Sequence, residues 1–327
     1  MNAPGNRATN PAPPRLPPLR LRQKAALITL GVLAGLGICE AACRICGLGQ
    51  TTPAADYIAN WETQWGADFY TLDPRFPPSG DFLNIDGLRD RQHDLTKPPG
   101  TTRIACLGDS VTFGFLVDHT NSYPSRLEAS LAESGIKAEV FNIALPGWSI
   151  RQQRIARKYH PDLVILGVCL NDIPEMQNNL LKPPAPWLAN LYRRSQLLRA
   201  IYRPQEREIG NVEELFIAPD APNVLRGWER YLHELDGLAA DLAESKIPAL
   251  LVAFPFRFQL DSGHASPPPQ ERLRRRCSAL GINFADPLPA LRRAGPDAFL
   301  DHDHLSPDGA EIVARYLEKP ARTALRR

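Results

Sequence analysis

Beyond residue 100 the chain alternates between short continuous apolar runs and longer stretches whose apolar residues recur every three or four positions. The runs are RIACLG (103–108), EVFNIA (139–144), LVILGVCL (163–170), PALLVAF (248–254) and INFADP (282–287). Each is short enough for a strand and is bounded by glycine, proline or asparagine. Helical spacing fills the intervals at 122–135, 149–159, 224–246, 268–281 and 306–319. Strands and helices in alternation predict an α/β domain with a five-stranded parallel sheet covered on both faces. Ligands of such sheets bind outside the carboxyl ends of the strands, so any chemistry is to be sought there.

The pattern before residue 100 is different. Residues 1–24 form a tail with five basic residues, no acid and six prolines. Fifteen uncharged residues follow, from Ala25 to Cys39, and Glu40 interrupts a weaker apolar run that reaches Leu48. Counted through Leu48, the segment is 24 residues long, enough to cross a bilayer as a helix. Glu40 and Arg44 lie one helical turn apart and can pair at the interface. The reading favoured here is a signal anchor over 25–48, with a cleaved signal peptide as the alternative. The basic flank then stays in the cytoplasm, and everything after residue 48 is periplasmic or extracellular. Residues 49–98, irregular and rich in aromatics and proline, are expected as a stalk or as an extension packed on the domain.

Composition narrows the partners. With 38 basic and 36 acidic side chains the formal charge is +2, which excludes a broad basic face for nucleic acid. The six cysteines show no spacing that suggests a disulfide framework and are expected as buried free thiols. The 32 prolines, about twice ordinary usage, gather in the tail, the irregular segment and the loops.

Four strand ends carry polar or glycine clusters. The first run ends in Gly108-Asp109-Ser110. The second leads through Asn142 to Pro146-Gly147, and the third ends at Asn171-Asp172. After the fifth comes Asp301-His302-Asp303-His304-Leu305-Ser306-Pro307-Asp308-Gly309, directly before the last helix. Together they supply a serine, an imidazole with a carboxylate three residues away, and neutral amide donors. Those are the parts of acyl transfer. A serine hydroxyl is a poor nucleophile until a neutral imidazole takes its proton, and a carboxylate can hold that imidazole in one tautomer. Asp301 and His304 are close enough in sequence for one turn to bring them together.

GDSVTFG, Asn-x-Ala-x-Pro-Gly, the Asn-Asp after the third run and Asp-x-x-His-Leu-Ser-x-x-Gly resemble the four blocks of the SGNH (GDSL-like) hydrolase superfamily, over about residues 99–319. NIDGLRD and the N-terminal anchor are similar to membrane-anchored exported members. The resemblance implies a three-layer, flavodoxin-like α/β/α domain with Ser110 as nucleophile, His304 as base and Asp301 as its orienting acid. It implies the Ser110 amide, Gly147 and Asn171 as oxyanion donors. One block departs from the pattern: Cys169-Leu170 stand before Asn171, where the family has Gly-x, and the nearest glycine is Gly167. No Gly-x-Ser-x-Gly is present, which excludes an α/β-hydrolase nucleophile elbow.

The expected activity is hydrolysis of an acyl ester, carried by a carbohydrate or envelope glycan, with no cofactor and no metal. An O-acyltransferase using the same triad is the first alternative, and a non-catalytic envelope assembly protein the second. Asp109, Asn142 and Asp172 are read as structural, the last two as turn and loop formers. A metal at Asp301–His304 is set aside because an extended strand would point successive side chains to opposite sides. His93, His119, His160, His233 and His264 are expected on the surface. Within the domain at 99–327, residues 173–222 form an insert containing a basic amphipathic segment (186–203). It is expected as a lid over the cleft, with a membrane-surface helix as the alternative.

Overall fold

The computed structural model describes residues 20–49, 61–62, 71–72, 83–85, 87–148, 150, 159–174, 191, 194–201, 204–261 and 268–326. Most of the predicted tail, nearly all of the 149–159 helix, much of the 49–98 segment, part of the insert, and His264 lie outside them. The described residues group into two compact units, Met1–Gln50 with Arg194–Ile201, and Thr51–Arg193 with Tyr202–Arg327.

In the first unit, α1 (Leu21–Ile45) is a 25-residue helix whose apolar side chains are almost all exposed; Cys39 on it and Cys46 at its end are exposed as well, which corrects the expectation of buried thiols there. Its mean hydropathy over an 18-residue window is 2.0, and it is the one helix among the described residues long and apolar enough to cross a membrane. Glu40 does pair with Arg44, whose Nε donates to its carboxylate at 2.8 Å. The same carboxylate accepts from the Ser195 hydroxyl (2.8 Å) and from the Gln196 and Leu197 amides (3.0 and 2.9 Å). These belong to the start of α2 (Gln196–Ile201), whose first amides have no partner within the helix. Part of the 173–222 insert therefore packs on the N-terminal helix.

The second unit is built on strands β1 (Thr102–Gly108), β2 (Ala138–Ala144), β3 (Leu163–Cys169), β4 (Ala249–Phe254) and β5 (Asn283–Ala285). All neighbours are parallel, in the order β2-β1-β3-β4-β5. All five predicted strands are present, each displaced by no more than a few residues at its ends. Every residue of β3 is buried, which a strand achieves only when helices cover both faces of its sheet. From β1 the chain crosses first to β2 on one side and then to β3 on the other. The loops leaving β1 and β3 diverge, and a crevice opens at their carboxyl ends.

The helices follow their apolar stripes. In α5 (Pro222–Glu244), Val224, Trp228, Tyr231, Leu235, Leu238 and Leu242 are buried at alternating four- and three-residue intervals. It packs beside α6 (Pro268–Leu280), and α3 (Tyr123–Glu133) packs beside the C-terminal α8 (Pro307–Ala324). Ser122 and Ser306 cap α3 and α8 by accepting from the Ser125 and Gly309 amides. The last helix runs beyond its predicted end at 319, straight through Pro320. Ala321 and Ala324, both fully buried, hold the final turn in place although the proline donates no hydrogen bond. Within the insert lies α4 (Pro204–Ile217), and α7 (Leu288–Ala294) follows β5.

Residues 94–96, ahead of the domain, meet the first strand. The guanidinium of Arg103, on β1 and fully buried, donates to Glu139 Oε2 at 2.8 Å and to the carbonyls of Asp94, Leu95, Thr96 and Tyr159. A buried charge is tolerated when its donors are used in this way. His93 corrects the surface expectation. It is 6% exposed, with its ring 4.1 Å from that of Phe141 and its Nε2 3.0 Å from Asp90. Asn142 is likewise a strand residue, whose amide nitrogen reaches the Phe113 carbonyl at 3.4 Å.

Candidate active site

The first cluster sits where β1 ends. Asp109 caps the four-residue helical turn Ser110–Phe113 by accepting from the Val111 amide at 3.0 Å, and Ser110 is its first residue. The structural role expected for Asp109 is the one it plays. The turn lies directly on the sheet. A Cβ on Gly108 would come within 2.0 Å of Thr112 Oγ1, and one on Gly167 within 2.2 Å of the same atom. Gly167, two residues earlier than the family pattern puts its glycine, thus provides the close approach. From the other side, Arg89 of NIDGLRD donates to the carbonyls of Gly114 and Val117, with its guanidinium 5.0 Å from the Phe113 ring centre.

The second cluster lies in a turn closed by an antiparallel bridge between Phe299 and Leu305. Asp301 accepts three hydrogen bonds there: from His304 Nδ1 (2.8 Å), the His304 amide (2.9 Å) and the Asp303 amide (3.1 Å). The expected extended alternation over 301–304 is corrected by this turn, because it makes the side chains converge. Asp303, 1% exposed, places Oδ1 3.1 Å from His304 Nδ1 and 3.3 Å from His302 Nε2. The Cys169 thiol donates to its other oxygen at 3.7 Å. His304 Nε2 is buried without a hydrogen-bond partner among the described residues. His304 and Ser110 border one shallow depression together with Val111, Phe115, Val117 and Leu305.

Burial and charge set the protonation of this cluster. Burial disfavours the His304 cation, but Asp303 and Asp301 outweigh it and lift the imidazole to about 9. Burial pushes Asp301 up, but the hydrogen bonds and charge of His304 and the two amides hold it well below the usual carboxylate range. Burial raises Asp303 to about 6, and burial with the neighbouring Asp303 raises Asp109 to about 7. Asp172 is driven far upward by burial and then by Asp109.

The two further candidate donors stand at neighbouring strand ends. Gly147, after β2, has φ +78°, a left-handed conformation that glycine adopts without penalty. Asn171, after β3, is 6% exposed, and its Nδ2 donates to Glu208 Oε1 of α4 at 2.5 Å. Glu208 also lies 3.4 Å from His302 Nε2. Sequence reasoning passed over Glu208 and Asp303 as site residues. Nothing in the local pattern of α4 marks Glu208, which meets Asn171 across 37 residues of chain. Among the described residues, Glu208–His302–Asp303 and Asp301–Asp303–His304 have the ligand types and closeness for a metal ion. The second group would use the nitrogen that Asp301 already holds.

The sheet is all-parallel in a flavodoxin-like order, with a serine at the end of its first strand and a histidine–aspartate pair before its last helix. The GDSL-like Lipase/Acylhydrolase family model matches residues 106–312, well over half of the chain, which belongs to that family and is a carboxylic ester hydrolase. The curated proteins give no match. Among solved structures the chain is similar to LAE5, an α/β hydrolase from the metagenome of Lake Arreo, at 18% identity over 68% of this chain and 96% of that one (TM-score 0.45). It is also similar to a catalytic mutant of an acetylxylan esterase from Geobacillus stearothermophilus, at 15% identity over 67% and 93% (TM-score 0.43). AlinE4, an SGNH-hydrolase family esterase, matches at 20% identity over 70% and 99% (TM-score 0.36).

Proposed function

We propose that this chain is a membrane-anchored serine esterase in which Ser110 is the nucleophile, His304 the base and Asp301 its orienting acid. The observation that carries the reading is the His304 ring. Asp301 holds Nδ1 at 2.8 Å, Nε2 has no partner among the described residues, and the ring borders the same depression as Ser110. In the acylation step the Ser110 hydroxyl adds to the ester carbonyl while His304 Nε2 takes its proton. The developing oxyanion is met by the Ser110 amide, the Gly147 amide and Asn171 Nδ2. Each such donor is worth roughly 3 kcal/mol of barrier. His304 then returns the proton to the leaving alkoxide, and water repeats the sequence on the acyl-enzyme.

The exposed apolar helix α1 and the basic residues ahead of it support an anchor with the catalytic unit outside the cytoplasm. An ester on an exported carbohydrate or envelope glycan is the substrate this placement favours. The test is turnover of p-nitrophenyl acetate by the full chain. Ser110→Ala and His304→Ala are each expected to lower kcat by about 10³-fold or more, and Asp301→Asn by less. Full turnover by Ser110→Ala overturns the assignment. Acylated sugar in place of free acetate, when a glycan acceptor is added, makes the enzyme a transferase.

A further inference from the structure

The contact between Glu208 and Asn171 stands out chemically. A carboxylate oxygen lies 2.5 Å from Asn171 Nδ2 and takes one of its two N–H groups. A carboxylate has the charge and acceptor geometry of an oxyanion, so Glu208 and a substrate oxyanion compete for that N–H. Its other oxygen is turned toward His302 Nε2 at 3.4 Å, and His302 in turn lies 3.3 Å from Asp303. Glu208 comes from α4, the part of the insert that belongs to the catalytic unit. His302 therefore offers a second seat within reach, to which Glu208 can withdraw when substrate arrives.

We infer that Glu208 is a built-in competitor for the oxyanion donor, a rate-setting residue that substrate must displace from Asn171 toward His302. The inference rests on the reading of Asn171 as an oxyanion donor. Displacement taxes apparent affinity by the fraction of molecules in which the donor is free. A substrate whose binding energy moves Glu208 is favoured over a small activated ester that lacks it. The insert thus tunes specificity through one hydrogen bond.

The experiment measures kcat/KM for p-nitrophenyl acetate with the full chain carrying Glu208→Ala, Glu208→Gln, Asn171→Ala and Glu208→Ala with Asn171→Ala. Glu208→Ala is expected to raise kcat/KM on the order of tenfold, and Glu208→Gln to raise it less, since a neutral amide is the weaker acceptor. Acetate, the product carboxylate, is expected to inhibit Glu208→Ala at lower concentration than the parent. In the Asn171→Ala background, removing Glu208 is expected to bring no gain. If Asn171→Ala costs activity and neither Glu208 variant gains any, the competitor inference is overturned while the oxyanion reading stands. If Asn171→Ala costs nothing, the oxyanion reading falls and takes the inference with it. Should Glu208→Ala fail to fold, the near-isosteric Glu208→Gln decides alone.

Discussion

The proposed mechanism asks His304 to accept a proton while two carboxylates favour the proton it already carries. Asp301 alone would be enough to fix the tautomer. Asp303, buried beside it, adds negative charge that a base does not need, and the imidazole is lifted to about 9. The neutral ring is the active form, so kcat/KM is expected to rise with pH, its acidic limb centred well above the ordinary histidine value of about 6.5. In Asp303→Asn the cation loses one of its partners, and the limb is expected to move down by about one pH unit. A pH–rate profile of the two proteins checks both statements. A parent limb near the ordinary value, or an unmoved limb in the variant, refutes them. Nothing in the tetrapeptide Asp-His-Asp-His distinguishes the two acids. Only the turn closed by Phe299 and Leu305 gives Asp301 both amides and leaves Asp303 to its buried place beside Cys169.

At the level of elements, what was legible in the sequence is what depends on local pattern. The five strands announce themselves as apolar runs because a sheet covered on both faces buries every position, as β3 does. The strand ends announce chemistry because the loops there are the ones that can converge. What escaped needs contacts between distant parts of the chain. The continuation of the last helix through Pro320 depends on Ala321 and Ala324 finding the core, and Glu208 depends on the path of an insert. Gly167 belongs to this class too. In the sequence it is a displaced family glycine, and in the fold it is the floor on which the turn that begins at Ser110 rests. Gly167→Ala is expected to destabilise the protein by about 1–3 kcal/mol, because the new methyl would meet Thr112 and, at 3.0 Å, the Tyr123 hydroxyl. Gly210→Ala, on α4 with nothing within 4 Å of the added carbon, is expected to be neutral or to stabilise by up to about 1 kcal/mol. Urea midpoints of the two variants make the comparison, and equal midpoints count against the close-approach account.

Over the whole molecule the buried acids point one way. Asp109 and Asp303 are raised to about 7 and about 6, and Asp172 well above its ordinary value, all by burial first. His304 is raised as well. A group with a raised folded-state pKa adds stability below its unfolded value, and that stability is lost as pH rises through the folded value. All four therefore make the native state hold extra protons between roughly pH 4 and pH 9. Below that window the lowered Asp301 acts in the opposite sense, losing its contribution as it is protonated. Tm is expected to be highest at mildly acidic pH, near 5, and to fall steadily toward 9. Melting curves across that range test it, and a maximum at pH 8 or above is incompatible with it.

The carboxylate of Glu40 also sets an order of events. It interrupts an apolar helix, and the hydroxyl that receives it, on Ser195, lies 155 residues further along the chain. When the N-terminal helix is made, only Arg44, one turn away, is there to meet that charge. The end of the helix is completed late, after the first three strands of the sheet have been synthesised and the insert has followed them. The N-terminal helix is thus made early and is among the last elements to be finished.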